Sequence, residues 1–282
     1  YMPGANARAL EKAATLPADA LILDLEDAVA PDAKVEARDR VCDAARSGRY
    51  GRRVVTIRAN GLGTQWHDDD IVAIAAAGVD AVVVPKINSA SDVAAVVASL
   101  DAAGASESTA VWAMVETPVA MLHAHEIATA TDRLTVLVMG TNDLAKELGA
   151  QYVPGRAPLV TGLSLCLLAA RAAGTVILDG VYNDVRDPEG FAAECAQGRA
   201  MGFDGKTLIH PSQVEPCNEA FAPAADELAR SHEIIEAFEA AQAEGRGVVT
   251  VEGRMIENLH VEQARQAIAK SEAIAALRSD AG

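Results

Sequence analysis

The sequence predicts an α/β fold of eight strand–helix units closed into a parallel barrel, and three observations predict it. Short apolar, β-branched runs recur with their starts 34, 27, 29, 24, 41 and 31 residues apart, near the size of one strand-plus-helix repeat. Ala-rich stretches with helical spacing, such as residues 91–100 and 119–130, lie between them. The length of 282 residues falls in the range of a single such barrel. Strands that alternate with helices indicate a parallel sheet. An open doubly wound sheet is the alternative, but no G-x-G-x-x-G follows any strand.

The first unit is read from Tyr1-Met-Pro-Gly4, a strand cut short at the start of the sequence, followed by a helical stretch at residues 7–15. Residues 20–25, 54–59, 81–85, 110–115, 134–139, 175–178 and 206–209 supply the other seven strands. Asp187 and Pro188 open a helix and Gly202 closes it, the order of an N-cap acid, a first-turn proline and a terminal glycine. From about Pro223 the pattern changes. Residues 224–244 read as one long helix, 245–252 as a short turn and strand, and 261–277 as a final helix rich in Ala, Gln and Glu. The expected organisation is a barrel domain over residues 1–222 and a C-terminal helical lid over residues 223–282. That lid is too short for an independent core, and is expected to cover the barrel or pack on a neighbouring subunit.

Charge narrows the partners. A net charge of -16, from 24 basic against 40 acidic residues, opposes nucleic acid and anionic membranes, both of which require a cationic footprint. An anionic ligand must then be held by a local basic cluster or a metal. Cys42, Cys166, Cys195 and Cys217 are scattered without C-x-x-C spacing, which suggests neither a zinc site nor a disulfide framework and fits a reducing cytoplasm. No apolar run approaches the roughly 20 residues of a membrane span. The sequence starts at Tyr1 rather than Met, so the reading leaves room for a removed leader.

Active sites of such barrels lie where the strands end. Strand-terminal residues here are Asp24, Glu26 and Asp27, then Arg58 and Asn60, Lys86, Glu116, Asp143, Asp179 and His210. Glu116 and Asp143 end apolar runs, where solubility does not explain an acid. Two such carboxylates on neighbouring strands suit a Mg²⁺ site with positions open to substrate oxygens. Capping of the following helices is the competing explanation. Arg58, at the end of Val54-Val-Thr-Ile-Arg58, is well placed for a carboxylate or a developing oxyanion, with a surface position or a structural ion pair as the competing explanation. Glu26 and Asp27 are expected to accept hydrogen bonds from metal-bound waters, with helix capping nearly as good an account. His210 before Pro211 is expected to be structural, and His123 and His125, two apart on a helix, do not form a metal pair.

At these residues the chain resembles the citrate lyase β-subunit-like family, also called the HpcH/HpaI aldolase and citrate lyase superfamily. The likeness rests on Tyr1-Met-Pro-Gly4, Leu23-Asp-Leu-Glu-Asp-Ala-Val29 with Lys34, Ile57-Arg-Ala-Asn60, Val84-Pro-Lys86, Val115-Glu-Thr-Pro118, Gly140-Thr-Asn-Asp-Leu144, Gly205-Lys-Thr-Leu-Ile-His-Pro-Ser-Gln213 and Gly253-Arg-Met-Ile-Glu257. The resemblance implies a TIM barrel, Mg²⁺ on Glu116 and Asp143, Arg58 at a reacting thioester, and a coenzyme A thioester as substrate. Lys12, Arg8 and Lys34 are its implied coenzyme A contacts, while Asn6 stands where many relatives have Arg. Lys86 and Asn60 are its implied substrate neighbours. It also implies a homo-oligomer, trimer or hexamer, in which the C-terminal segment covers a neighbour's site. The malyl-CoA lyase and malyl-CoA thioesterase branch looks nearest, partly through Glu257-Asn-Leu-His260.

One departure bears on mechanism. Lyases of the family usually carry Asp where this chain has Glu257, and the extra methylene moves a carboxylate by about 1.5 Å. A shift near 1 Å costs on the order of 10²-fold in a positioned step. The leading expectation is a Mg²⁺-dependent carbon–carbon lyase that splits a 3-hydroxy-3-carboxyacyl-CoA such as malyl-CoA into a 2-oxoacid and an acyl-CoA, with Arg58 and Glu257 catalytic. The alternative is a malyl-CoA thioesterase using the same site. A third reading is a non-catalytic thioester-binding subunit of a larger complex.

Overall fold

A computed structural model describes residues 1–279. The chain divides into two compact units, Tyr1–Ala220 and a second that begins at Phe221. The first is an α/β unit built on an eight-stranded parallel sheet: β1 (Met2–Pro3), β2 (Ala20–Asp24), β3 (Val54–Arg58), β4 (Ala81–Val84), β5 (Ala110–Val115), β6 (Leu134–Met139), β7 (Val176–Asp179) and β8 (Gly205–Lys206). Each strand pairs with the next in sequence, so the order is β1 through β8 without a crossover. The Tyr1 nitrogen also donates to the Leu208 carbonyl at 2.7 Å, linking the residue before β1 to one just past β8.

Helices return the chain between strands: α1 (Ala7–Ala13), α2 (Lys34–Arg46), α3 (His67–Ala77), α4 (Ala90–Ala102), α5 (Pro118–Leu122), α6 (Ala124–Ala128), α7 (Thr141–Leu148), α8 (Val160–Ala173), α9 (Pro188–Met201) and α10 (Val214–Phe221). The helix expected over residues 119–130 is two helices, broken at His123, whose ring Nδ1 lies 3.2 Å from the Asn88 carbonyl. The punctuation of α9 acts as its residue types dictate. The Asp187 side chain accepts from Gly190 N–H, Pro188 occupies the first turn, and Gly202 takes φ 104°, a conformation that residues with a Cβ avoid.

Alternation along the strands sorts side chains into layers. Ile22, Val83, Met114, Val136 and Val138 form one buried cluster on one face of the sheet, while Leu23, Ile57, Val82, Ala113 and Leu137 are buried at alternate positions, facing the other way. Asp24 and Glu116 continue the first set by one step of two residues, and Arg58 lies beside Asp24 in register. The next layer of that face is therefore polar, and it lies at the carboxyl ends of the strands.

The second unit contains α11 (Ala225–Ala243), an antiparallel hairpin of β9 (Val249–Val251) and β10 (Arg254–Ile256), and α12 (Asn258–Ser279). Glu252 and Gly253 turn the hairpin at φ 47° and 76°, the left-handed pair that a two-residue connection requires. The segment expected to lack a core has a small one of its own: Phe238, Val251, Ile256 and Val261.

Candidate active site

The register of β2 against β3 sets Asp24 directly beside Arg58. Both side chains are buried, and they pair through two parallel bonds, Arg58 Nε to Asp24 Oδ1 at 2.6 Å and Nη2 to Oδ2 at 2.7 Å. Burial alone would raise the Asp24 carboxyl; the guanidinium beside it, with the N–H groups of Glu26 and Ala28, holds it below the ordinary carboxylate range. The Arg58 guanidinium also sits 4.8 Å from the centre of the Tyr1 ring. Its planar fork is thus taken up by Asp24. The Nη1 edge is paired with Glu26, 2.8 Å from its Oε2, and lies 3.8 Å from Met114 Sδ.

Glu116 follows the last residue of β5, and its side chain is 1% exposed. Its Oε1 accepts from Lys86 N–H at 2.7 Å. Lys86 holds φ 55°, a left-handed conformation uncommon for a residue with a Cβ and typical of strained functional loops. The Lys86 ammonium lies 3.0 Å from Glu26 Oε1 and 3.9 Å from Asp143 Oδ1. Asp143 occupies the first turn of α7. Glu26, Lys86, Glu116 and Asp143 are thereby brought to one place by four different strand ends.

Electrostatics mark Glu116 as the unusual member. Burial, reinforced by the charge of Asp143, pushes its carboxyl up to about 7. Glu26 is also raised, by burial first and by Asp27 as well, against the pull of Arg58 and Lys86. Gly140 explains how Glu116 fits: a Cβ there would stand 2.1 Å from Glu116 Oε2. Two close carboxylates, one kept out of water, form a donor set suited to a hard divalent cation. Among the described residues no group of three or more His, Cys, Asp or Glu is poised to hold a metal. A cation at Glu116 and Asp143 would thus complete its shell with water and substrate oxygens.

Other expected residues are placed differently. The Lys34 ammonium is buried and donates to the Leu25 and Glu26 carbonyls at 2.9 and 2.8 Å, with Trp66 beneath it, so it ties down the loop after β2 rather than reaching a coenzyme A phosphate. Asn60 is held by Asp70, which accepts from its backbone and side-chain nitrogens at 3.0 and 2.6 Å. Asp27 is exposed beside the network. Arg8 and Lys12 lie one turn apart on the exposed side of α1, a helix capped by Asn6 through Ala9 N–H. Glu257, in the second unit, is exposed; its backbone N–H donates to His260 Nδ1 at 3.2 Å. His210 Nδ1 is used within its own turn, 2.7 Å from Ser212 Oγ.

Two features escaped sequence reading. Asp24 was visible as a strand-terminal acid, but its pairing depends on register. A buried charge cluster at the ends of β7 and β8 was not foreseen either. There Asp179 accepts from Arg156 at 2.7 Å and Lys206 at 3.1 Å, and Lys206 also reaches Glu194 at 2.7 Å. The sole signal was an acid ending an apolar run at Asp179.

An eight-stranded parallel α/β sheet with carboxylates and a buried arginine at its strand ends carries its charged groups where α/β enzymes of this kind place their active sites. Residues 1–211 match the HpcH/HpaI aldolase/citrate lyase family, and the chain belongs to that family. A (3S)-malyl-CoA thioesterase of Cereibacter sphaeroides is 52% identical, across 98% of this chain and 94% of its own. An L-malyl-CoA/beta-methylmalyl-CoA lyase of the same organism is 32% identical, across 98% and 94%. Protein CitE of Mycobacterium tuberculosis, solved with magnesium, acetoacetate and coenzyme A, superposes with a TM-score of 0.79 at 31% identity, covering 96% of each chain. The thioesterase likeness overturns the expected carbon–carbon lyase. The identity to the hydrolase, 52%, is far greater than the 32% to the lyase.

Proposed function

We propose that this chain is a Mg²⁺-dependent thioesterase that hydrolyses (3S)-malyl-CoA or a close 3-carboxy-3-hydroxyacyl thioester to the free acid and coenzyme A. The observation that carries the reading is the 52% identity to malyl-CoA thioesterases over nearly the whole chain. Glu116 and Asp143 would hold the cation, a role supported by the raised Glu116 carboxyl and the glycine cradle at residue 140. When bound there, Mg²⁺ supplies neutralisation of the substrate's carboxylate and hydroxyl oxygens.

The remaining chemistry falls to the chain's own groups. Arg58, braced by Asp24, turns its Nη1 edge to the oxyanion that develops on the thioester carbonyl. Glu257 takes the proton from the attacking water as the carbon–oxygen bond forms; the carbon–sulfur bond then breaks and Glu257 returns that proton to the departing thiolate. The extra methylene of Glu257 sets its carboxylate about 1.5 Å from where an Asp would hold it, a displacement that suits a water rather than a methyl carbon as the group acted upon. Arg8 and Lys12 would meet the coenzyme A phosphates, giving the local positive charge that a net -16 chain otherwise lacks. Lys34 is not part of the set.

The proposal includes a closed TIM barrel, supported by the Tyr1 to Leu208 bond between its two ends. It includes a homotrimer or hexamer in the cytoplasm, with the C-terminal helical unit serving as the lid on a neighbour's site. No helix among the described residues is long and apolar enough to cross a membrane.

Product analysis with malyl-CoA and Mg²⁺ tests it. Free thiol and malate in equal amounts, without glyoxylate, are expected. Glyoxylate with acetyl-CoA, or no turnover, would overturn it.

A further inference from the structure

We propose that Lys86 is the resident countercharge of the two-carboxylate site, its ammonium occupying the electrostatic place of a divalent cation and thereby setting how tightly that cation is held. The proposal rests on reading Glu116 and Asp143 as the cation-holding pair. Two features of Lys86 act together. Its left-handed backbone, at φ 55°, directs its N–H to Glu116 Oε1 at 2.7 Å. Its side chain returns to the same cluster, with Nζ 3.0 Å from Glu26 Oε1 and 3.9 Å from Asp143 Oδ1.

Charge explains why an ammonium belongs there. Glu26 and Asp143 lie at the Lys86 ammonium and Glu116 at its N–H, and among the described residues the other cation paired with one of these acids, Arg58, already has its fork on Asp24. The Lys86 side chain is 43% exposed, so it has room to swing away when a divalent ion arrives. Flexibility of this kind suits Lys, a compact point charge on a long stem, rather than Arg with its rigid fork. Strain at φ 55° would be relieved by glycine, which adopts that angle freely. A lysine there does what glycine cannot, in placing a positive charge over the carboxylates. The consequence is a site whose negative charge is partly offset before metal binds and whose metal affinity is held down by a competing cation.

The test is Mg²⁺ titration of the full-length protein by calorimetry. Lys86→Gly keeps the backbone geometry and removes the ammonium, and it should bind Mg²⁺ about tenfold more tightly, as expected when a like charge leaves the neighbourhood of an ion. Lys86→Gln should shift affinity the same way, and it decides the matter if the glycine variant fails to fold. Lys86→Arg, which retains the charge, should remain within about threefold of wild type. Unchanged or weaker Mg²⁺ binding in the folded charge-removing variant overturns the proposal, because a residue that merely shapes the loop has no reason to oppose the cation. Glu116→Gln in the same titration separates the two levels. If wild type binds Mg²⁺ and Glu116→Gln does not, the metal reading stands whatever Lys86 does. If wild type and Glu116→Gln bind alike, the metal pair and the Lys86 role fall together.

Discussion

Glu116 carries a stability signature that its position dictates. Burial and the Asp143 charge raise its carboxyl from 4.5 to about 7, so the folded chain binds this proton more tightly than the unfolded one. The associated stability is fully present below 4.5 and is lost as pH rises through 7, an effect of about 3 kcal/mol. In EDTA the melting temperature should therefore drop between about pH 5 and about pH 8, and Glu116→Gln should remove most of that drop; an unchanged slope in the variant would refute the assignment. Turnover gives a separate check: Glu116→Gln and Asp143→Asn should each lose Mg²⁺-dependent hydrolysis while circular dichroism stays that of wild type. The Asp24–Arg58 pair behaves differently. Asp24→Asn leaves a buried guanidinium without its carboxylate and should cost about 3–5 kcal/mol in denaturant unfolding. Arg58→Lys keeps a charge but not the planar fork, and turnover should fall on the order of 10²-fold. Near-normal values for both would mean that the pair is replaceable.

At the scale of elements, the turn from β6 into α7 is where geometry is tightest. Gly140 has φ -98°, an angle that alanine adopts freely, so conformational freedom is not the reason for glycine. The reason is close approach, since an added methyl would stand 2.1 Å from Glu116 Oε2. The same methyl would also crowd Glu116 Cβ, which rotation of the carboxylate does not relieve, so Gly140→Ala should shift the turn itself, lower the melting temperature, and reduce turnover by about 10²-fold with weakened Mg²⁺ binding. Wild-type kinetics in this variant would show that the Glu116 side chain points elsewhere. Sequence patterning found the strands well because runs such as 134–139 are buried on both faces, which leaves few alternatives. It merged α5 and α6 because the break at His123 has no proline or glycine to announce it. It read β9 but not β10, because both are only three residues long and Val249-Thr-Val251 is β-branched throughout whereas Arg254-Met-Ile256 carries a single β-branched residue.

For the whole molecule, assembly is the open mechanical question, and the two units make it testable. If Glu257 of one copy serves the site of another, mixing Glu257→Gln subunits with Arg58→Lys subunits should restore activity through hybrid sites, to about one quarter of wild type for random pairing of one donor with one acceptor. Assays after co-refolding, beside size-exclusion profiles, measure this. No recovery in mixed oligomers of normal size would assign Glu257 to its own chain's chemistry or to none.

The sequence by itself determined the repeat, the strand-end positions of Glu116, Asp143, Arg58 and Lys86, and the family, because these depend on local period and on short motifs. It did not determine which charges meet. For Lys34 the family resemblance implies a ligand contact, and for Arg58 the strand end allows either a ligand or an ion pair; tertiary structure buries one against two carbonyls and locks the other onto Asp24. The pairings of Lys86 with Glu26 and of Arg156 with Asp179 join residues 60 and 23 positions apart, which no local pattern encodes. A side chain's ionic partner is set by strand register and loop closure, and those are properties of the folded sheet alone.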